Sequence, residues 1–460
     1  MCFLKNIILP ILLLICFACL SKNKNEANMS KPNIIFLLTD DHRWDALGAM
    51  GNIIIKTPHL DQMANDGFLF KNAYVTTSIC CVSRASIMSG QYESRHGIND
   101  FHTSFKKEAF KNTYPAMLKK SGYYIGFIGK YGIGDPENQP KDFYDYWAGI
   151  NKHQPDYENL TENGDYIHYT DIVKNNIDSF LNTTNQKPFC LSVSFKAPHA
   201  QDEDPRQFIP NPKYKEYYKD DLIPLPKTAD EKYWNSLPDF FRTEENIARV
   251  RWNLQFKTPE AYQESVKNYY RLITGVDDVV GNLLIKLKEK QLDKNTIIIF
   301  MGDNGMFIGE HGLAGKWYGY EESIRVPLII YDPRHSKKGG TIDKIVLNID
   351  IAPTILGFAG ITIPKNMQGV DLMEYIKPKN KERKHFFYEH TFQNSPSLPN
   401  VEGVVSKKIK YMKYIENEYE ELFDLIQDPY EITNLASSPK YKEILQEQRK
   451  TYNTLKKQVK

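Results

Sequence analysis

Two long apolar runs break off in acid. The run from Asn33 to Thr39 ends in Asp40-Asp41, and NTIIIFMGDNG ends in Asp303-Asn304. Asp and Asn are ordinary turn formers, but both pairs follow the pattern of a buried strand. Three carboxylates and an amide oxygen make a hard oxygen site suited to Ca²⁺ or Mg²⁺. Arg84, Lys130 and Lys316 lie in Gly-rich or turn-like settings and would form an anion site beside it. A divalent cation and three cationic side chains against three carboxylates leave about +2, which suits a small sulfate or phosphate ester. His199, in KAPHA, and His311, in GEHGLAGK, are candidates to protonate a leaving oxygen.

The stretch TTSICCVSRASIMSGQYESRHG, residues 76–97, sets Cys80 and Cys81 side by side ahead of Arg84. Ser83 reads as the cap of a helix through Ala85, Ser86, Ile87 and Met88, with the cysteines just before it. Amides at a helix start favour an anion. An activated thiolate and a buried apolar cysteine both fit there. Adjacent cysteines rarely bridge, and no C-x-x-C pattern exists to support a zinc or redox site.

These residues need a frame that brings them together. TPHLDQMANDGF reads as a helix capped by Thr57 with Pro58 in its first turn. YPAMLKKSGYYIGFIGKYG reads as a helix and then a strand. PFCLSVSFKAPHA and RVPLIIYDP are further buried strands, and AYQESVKNYYRLITGVDDVVGNLLIKLKEKQL has helical periodicity. The alternation predicts an α/β fold, with a largely parallel sheet sandwiched by helices. In such sheets chemistry collects beyond the carboxyl ends of the strands. Asp40, Asp41, Lys130, His199, Asp303 and Asn304 all fall at such ends. From about residue 381, short runs such as HFFYEHT, EGVVSKK and IKYMKYI predict a smaller antiparallel sheet, and PKYKEILQEQRKTYNTLKKQV a closing surface helix.

The remaining composition bounds the function class. With 460 residues, 25% of them charged and a net charge of +2, the chain shows no broad basic surface for nucleic acid. MCFLKNIILPILLLICFACLSKNKNE has a lysine, an apolar run too short for a membrane span and a polar spacer, so residues 1–19 read as an export signal. Ala18 before Cys19 makes Cys19 a candidate for lipidation and membrane attachment. The expected division is 1–19 signal, 20–31 linker, 32–380 catalytic domain and 381–460 C-terminal subdomain. The protein is expected in the periplasm or at the cell surface. Cys80, Cys81 and Cys190 alone remain outside the leader, too few for a disulfide scaffold.

Taken together, these motifs resemble the type I sulfatases, the formylglycine-dependent branch of the alkaline-phosphatase superfamily. That family carries C-x-P-S-R-A-x-x-x-T-G, and residues 80–90 here read CCVSRASIMSG. Alignment on Arg84 puts the modified cysteine at Cys80, since Cys81 stands one residue too close. PNIIFLLTDDHRWD, GKYGIG, KAPHA, GDNGMFIGEHGLAGK, DIAPTILGFAGI and ELFDLIQDPYEITNLA follow the family's order. The resemblance implies one Ca²⁺ held by Asp40, Asp41, Asp303, Asn304 and the residue at Cys80, itself converted to formylglycine by a maturase. It implies that Arg84 stabilises the formylglycine hydrate and that Lys130 and Lys316 bind sulfate oxygens. It implies that the leaving alcohol is protonated by a nearby acid, His199 first, with Lys316 assisting. Two positions depart from the family: Val82 stands where Pro or Ala is usual, and Gly132 where a histidine follows the lysine. His96 and His311 are candidates for that histidine's work, and His102, with YEHTF and NVEGVV, for a sugar subsite.

The expected substrate is a sulfated oligo- or polysaccharide, and the lysine- and asparagine-rich composition suggests an algal one such as ulvan. The alternatives are a phosphodiesterase or phosphonate hydrolase of the same superfamily, and an inactive relative that binds sulfated glycan.

Overall fold

The computed structural model describes residues 31–184, 187–335, 339–393 and 398–460. The signal segment, Cys19 and all of the linker except Lys31 lie outside the described residues. In chain order the main elements are β1 (Asn33–Asp40), α1 (Pro58–Asp66), β2 (Phe68–Tyr74), α2 (Cys80–Ser89), β3 (Tyr124–Gly129), β4 (Tyr146–Gly149), α3 (Tyr169–Thr183) and β5 (Phe189–Pro198). They continue with α4 (Ile247–Gln255), α5 (Pro259–Glu289), β6 (Thr296–Gly302), β7 (Arg325–Val326), β8 (Leu328–Tyr331), β9 (Gly340–Leu347) and α6 (Ile351–Phe358). The C-terminal part holds β10 (Phe386–His390), β11 (Val401–Val405), β12 (Ile409–Tyr414), β13 (Tyr419–Asp424) and α7 (Lys442–Val459).

Nine strands form the main sheet, in the order β7-β2-β8-β6-β1-β5-β3-β4 with β9 beside β2. β1 runs parallel to both its neighbours, pairing Ile34 with Cys190 on one side and with Ile297 on the other. β3 is parallel to β5 and β4, whereas β8 is antiparallel to β6 and β2. The expected α/β sheet is therefore present, with an antiparallel element at one side. All eight residues of β1 are buried, and alternate side chains feed opposite cores. Ile34, Phe36 and Leu38 pack with α2, α6 and the C-terminal sheet. Ile35 and Leu37 pack with α1, α3 and α5. Burial on both faces is why this strand reads as an unbroken apolar run rather than an alternating one.

The C-terminal sheet is antiparallel, in the order β10-β11-β12-β13, and Leu445 and Tyr452 of α7 join the core on its side. Residues Pro32–Lys460 form one compact unit. Two helix starts differ from expectation. Thr57 stands at the N-cap of α1 but makes no capping bond there; its hydroxyl donates to Asp61 at 3.0 Å. Asp277 of α5 instead accepts from the amides of His59 and Leu60, at 3.2 and 2.7 Å. Ser83 is no cap either. α2 already begins at Cys80, and Ser83 Oγ accepts from Asn348 Nδ2 at 2.9 Å. A short polar side chain satisfied by a distant partner no longer competes with its own helix backbone.

Candidate active site

β1, β5 and β6 end side by side, with Thr39 opposite Gly302 and Asp40 opposite Pro198. Asp40 closes β1, and Asp41 follows at φ 59°, a left-handed turn that a short polar residue tolerates. Asp303 and Asn304 follow β6, His199 follows β5, and Lys130 follows β3. Gly129 must be glycine, because a Cβ there would sit 2.0 Å from the Ser194 carbonyl oxygen. This close approach seats Lys130 against β5, where its amide donates to that carbonyl at 2.9 Å.

α2 delivers the remaining groups. Cys80 opens the helix and lines a cavity of about 430 Å³. Cys81 points the other way, is fully buried in the core, and has its thiol pushed up by that burial. Val82 is also in the core. Arg84, one turn beyond Cys80, reaches four strand ends. Its Nε and Nη2 engage Asp303 Oδ2 at 2.9 and 2.8 Å, Nη1 donates to the Lys130 carbonyl at 2.7 Å and to Ser194 Oγ, and Nη2 stands 3.6 Å from Asp40. The helix stops at Gly90, which takes φ 66°.

The electrostatics are those of a densely charged, buried centre. Lys130 Nζ lies 2.5 Å from Asp40 Oδ2, and Lys316 Nζ 2.5 Å from Asp41 Oδ1. Burial would raise the Asp40 carboxyl, but Lys130, His199, Arg84 and Lys316 together hold it well below the usual range. Asp303 is pushed up to about 6 by burial and then by Asp40. Burial opposes the charge on Lys130 and Lys316, yet Asp40 and Asp41 hold both above the ordinary lysine value. His199 is shifted down by burial. Its Nδ1 donates to the Ala200 carbonyl at 2.6 Å, so Nε2, which accepts from Gln154 Nε2 at 3.4 Å and lies 3.5 Å from Asp41 Oδ2, is the nitrogen turned to the cavity.

Three buried oxygens in this cluster have no hydrogen-bond partner: Asp40 Oδ1, Asp41 Oδ2 and Asn304 Oδ1. Buried polar atoms are otherwise nearly always satisfied. Asp40, Asp41 and His199 also bring one ligand atom each within 4.8 Å of one another. Carboxylate and amide oxygens held in reserve among fixed charges are what a hard divalent cation requires, so the donor set fits Ca²⁺ or Mg²⁺. A larger cavity of about 780 Å³ opens elsewhere, beside Trp44 and Tyr430, and none of these groups lines it.

Cys80, Lys130, His199, Lys316 and His102 share the 430 Å³ cavity, and Gly132 lies on its wall. His96 and His311 do not join them. His96 Nε2 lies 3.0 Å from Ser86 Oγ, and burial lowers its ring to about 3. His311 Nε2 lies 3.1 Å from the Tyr430 carbonyl, and burial lowers its ring to about 4. Both are packed histidines that stay neutral. No described residue of YEHTF or NVEGVV lines the cavity; Phe392 only braces Phe101, ring centroids 4.9 Å apart. The walls come instead from residues without a motif: Phe101, His153, Gln154, Asp202, Ile247, Arg251 and Trp317. Sequence reasoning missed these, because no local spacing marks them.

Comparison with known proteins gives one answer. The family profile described as Sulfatase matches residues 32–361, and that of the N-sulphoglucosamine sulphohydrolase C-terminal region matches 309–458. An arylsulfatase of Clostridium perfringens is 31% identical over 458 residues, covering 90% of this chain and 92% of the relative. An N-acetylglucosamine-6-O-sulfatase of Bacteroides thetaiotaomicron is 27% identical over 96% of this chain and 89% of its own. A solved structure in complex with its substrate D-glucosamine-2-N,6-O-disulfate superposes with a TM-score of 0.79 at 26% identity, over 94% of this chain and 98% of the other.

Proposed function

The chain belongs to the sulfatase family, and from that premise we propose that it hydrolyses a sulfate ester on a carbohydrate, with Cys80 matured to formylglycine and Ca²⁺ bound beside it. Asp40, Asp41, Asp303 and Asn304 would hold the cation. When present, the hydrated aldehyde supplies an oxygen nucleophile with a second hydroxyl for release, and the cation supplies local positive charge. The chain's own residues do the rest. Arg84 fixes the carboxylates and the start of α2 in one arrangement. Lys130 and Lys316 neutralise the sulfate oxygens as charge builds on them. His199 delivers a proton from Nε2 to the departing sugar oxygen, with Lys316 next to it.

The observation that supports this most is the set of three unpartnered oxygens at the centre whose cavity Cys80 lines. The test is mass spectrometry of the peptide spanning Cys80, from protein matured in a host with a formylglycine-generating enzyme, together with hydrolysis of an aryl sulfate before and after chelation. Formylglycine at position 80 and loss of turnover on chelation are expected. Unmodified cysteine in an active preparation would overturn the mechanism. Parallel assays on a phosphonate monoester decide against the phosphonate-hydrolase alternative, and turnover of any ester decides against an inactive glycan binder.

The likeness to an N-acetylglucosamine-6-O-sulfatase puts sulfated hexosamines first among substrates to try and algal sugar sulfates such as those of ulvan second. The proposal extends to export, with lipid attachment at Cys19 in the periplasm or at the cell surface, and to a catalytic domain over 32–380 with a subdomain over 381–460. No described helix is long and apolar enough to cross a membrane.

A further inference from the structure

One side of the cavity mouth is built from side chains that touch none of the sulfate-site groups. Arg251, on α4, places Nη2 2.7 Å from Asp202 Oδ1, which lies just beyond β5. Among the described residues neither side chain has another ion pair or side-chain hydrogen bond, so a carboxylate oxygen of Asp202 and several N–H groups of Arg251 remain unused. Both residues line the cavity that Cys80 lines. The Asp202 side chain is 44% exposed and that of Arg251 15%, so the pair meets solvent at the mouth and is anchored behind.

The anchor is Trp317. Arg251 lies over its ring at 5.2 Å, a cation–π contact. Trp317 itself is buried, and its carbonyl accepts from Tyr388 Oη at 2.9 Å. Its backbone is left-handed, at φ 88°, a conformation that strains a bulky residue. Strain of that kind persists only where the surroundings enforce it. Here it lets two consecutive side chains, Lys316 and Trp317, face one cavity. Asp202 also lies near enough to His199 and Lys316 for their charges to hold its carboxyl down. The pair therefore sits beside the group assigned to the leaving oxygen.

An acceptor and a planar donor, side by side and fixed, match two neighbouring hydroxyls of a sugar ring. A carboxylate alone would repel a sulfated substrate, and an arginine alone would favour any anion. Paired, they cancel in charge and read hydroxyl geometry. The geometry points to Asp202 and Arg251 as the specificity-determining pair, hydrogen-bonding free hydroxyls of the sugar next to its sulfated carbon. This inference rests on the sulfatase reading above and narrows it to sugars with an unsubstituted hydroxyl beside the ester.

The experiment compares 4-nitrophenyl sulfate with the fastest of a panel of N-acetylglucosamine, galactose and rhamnose monosulfates, in wild type, Arg251→Ala and Asp202→Asn. With the sugar substrate, kcat/KM should fall about 30- to 100-fold, since a lost hydrogen bond to a charged group removes about that much. With the aryl sulfate the fall should be much smaller. A deoxy analogue lacking the neighbouring hydroxyl should already be poor for wild type and lose little more in Arg251→Ala. Parallel losses on sugar and aryl substrates, or full loss on the deoxy analogue, would overturn the assignment in favour of a structural role for the pair. Wild type inactive on every sulfate ester would instead overturn the sulfatase reading itself, so the two failures look different.

Discussion

Two of the buried clusters of opposite charge in the molecule are built on different terms. At the proposed catalytic centre Asp40, Asp41 and Asp303 face Arg84, Lys130 and Lys316. At the seam between the C-terminal sheet and the edge of the main sheet, Lys410 of β12 lies 3.0 Å from Glu321 and 2.8 Å from Glu431. Nearby Glu421 of β13 accepts from Tyr320 and Tyr414 at 3.1 and 3.2 Å. The seam has more acids than cations and makes up the difference with protons. Burial pushes Glu421 and Glu431 up to about 7. Glu321 Oε1 and Glu431 Oε1 lie beside the Lys410 ammonium without an aligned hydrogen bond to it, and the other oxygens of these acids and both of Glu421 accept from tyrosine hydroxyls or a backbone amide. The centre has cations to match its acids, yet three oxygens accept no hydrogen bond, with only His199 Nε2 at 3.5 Å from Asp41 Oδ2. Leftover oxygens alone do not separate the two, since Glu322 Oε2 beside the seam is also unpartnered; what sets the centre apart is that its leftover oxygens stand among three fixed cations at the cavity that Cys80 lines.

The comparison is broken most severely by removing a leftover oxygen. Asp40→Asn should lower kcat/KM on an aryl sulfate by about 10³-fold, the scale of losing preorganised charge at a reacting centre. Calcium at about 100 times its dissociation constant should stabilise wild type by about 2.7 kcal/mol and the variant by less, as read by thermal unfolding. Next comes the seam. Lys410→Met leaves Glu321 and Glu431 buried without their ammonium and should cost about 3–5 kcal/mol in urea unfolding, with unchanged turnover per folded molecule. A stability loss at the centre as large as that at the seam would erase the distinction.

A smaller effect follows from proton count at the seam. A carboxyl raised in the folded state favours folding most below its unfolded value near 4.5, and that advantage is lost as pH rises through about 7. Stability should therefore decline between pH 5 and 8, and Glu421→Gln should flatten the decline by about 2–3 kcal/mol. Denaturation at the two pH values measures it, and an unchanged slope would show that Glu421 titrates normally. The smallest effect is expected at Gly132. Its φ is 69°, and a Cβ there would lie 3.1 Å from Arg84 Cδ and 3.3 Å from Lys130 Cε. Gly132→Ala should cost about 1–2 kcal/mol in stability from the left-handed backbone, with a modest rise in KM as Arg84 and Lys130 adjust.

The centre was legible in the sequence because its residues sit where fully buried strands stop. β1 and β6 announce themselves as apolar runs that break off in a candidate site carboxylate, and β5, although Ser192, Ser194 and Lys196 interrupt it, ends just before His199. The walls were not legible for an equally physical reason. Arg251 belongs to a surface helix, where a charged residue reads as solvated, and its partner Asp202 is 49 positions away in a polar loop. Periodicity reports how buried a position is, not which distant position it meets. The same blindness put His96 and His311 among the site candidates, since a satisfied core histidine and a reactive one look alike in one dimension. The start of α2 was misplaced because Ser83 resembles a cap, while its true partner, Asn348, comes 265 residues later.

Every residue of α2 is buried, Cys80 included, and that sets an order of events. A second protein cannot grasp ten residues that have disappeared between a sheet and its covering helices. On the proposed maturation, the enzyme that rewrites Cys80 would have to act before α2 docks. Supply of that enzyme during synthesis, rather than treatment of purified protein afterwards, would then set how much of a preparation is active. Molecules that fold first would be locked out for the rest of their lives.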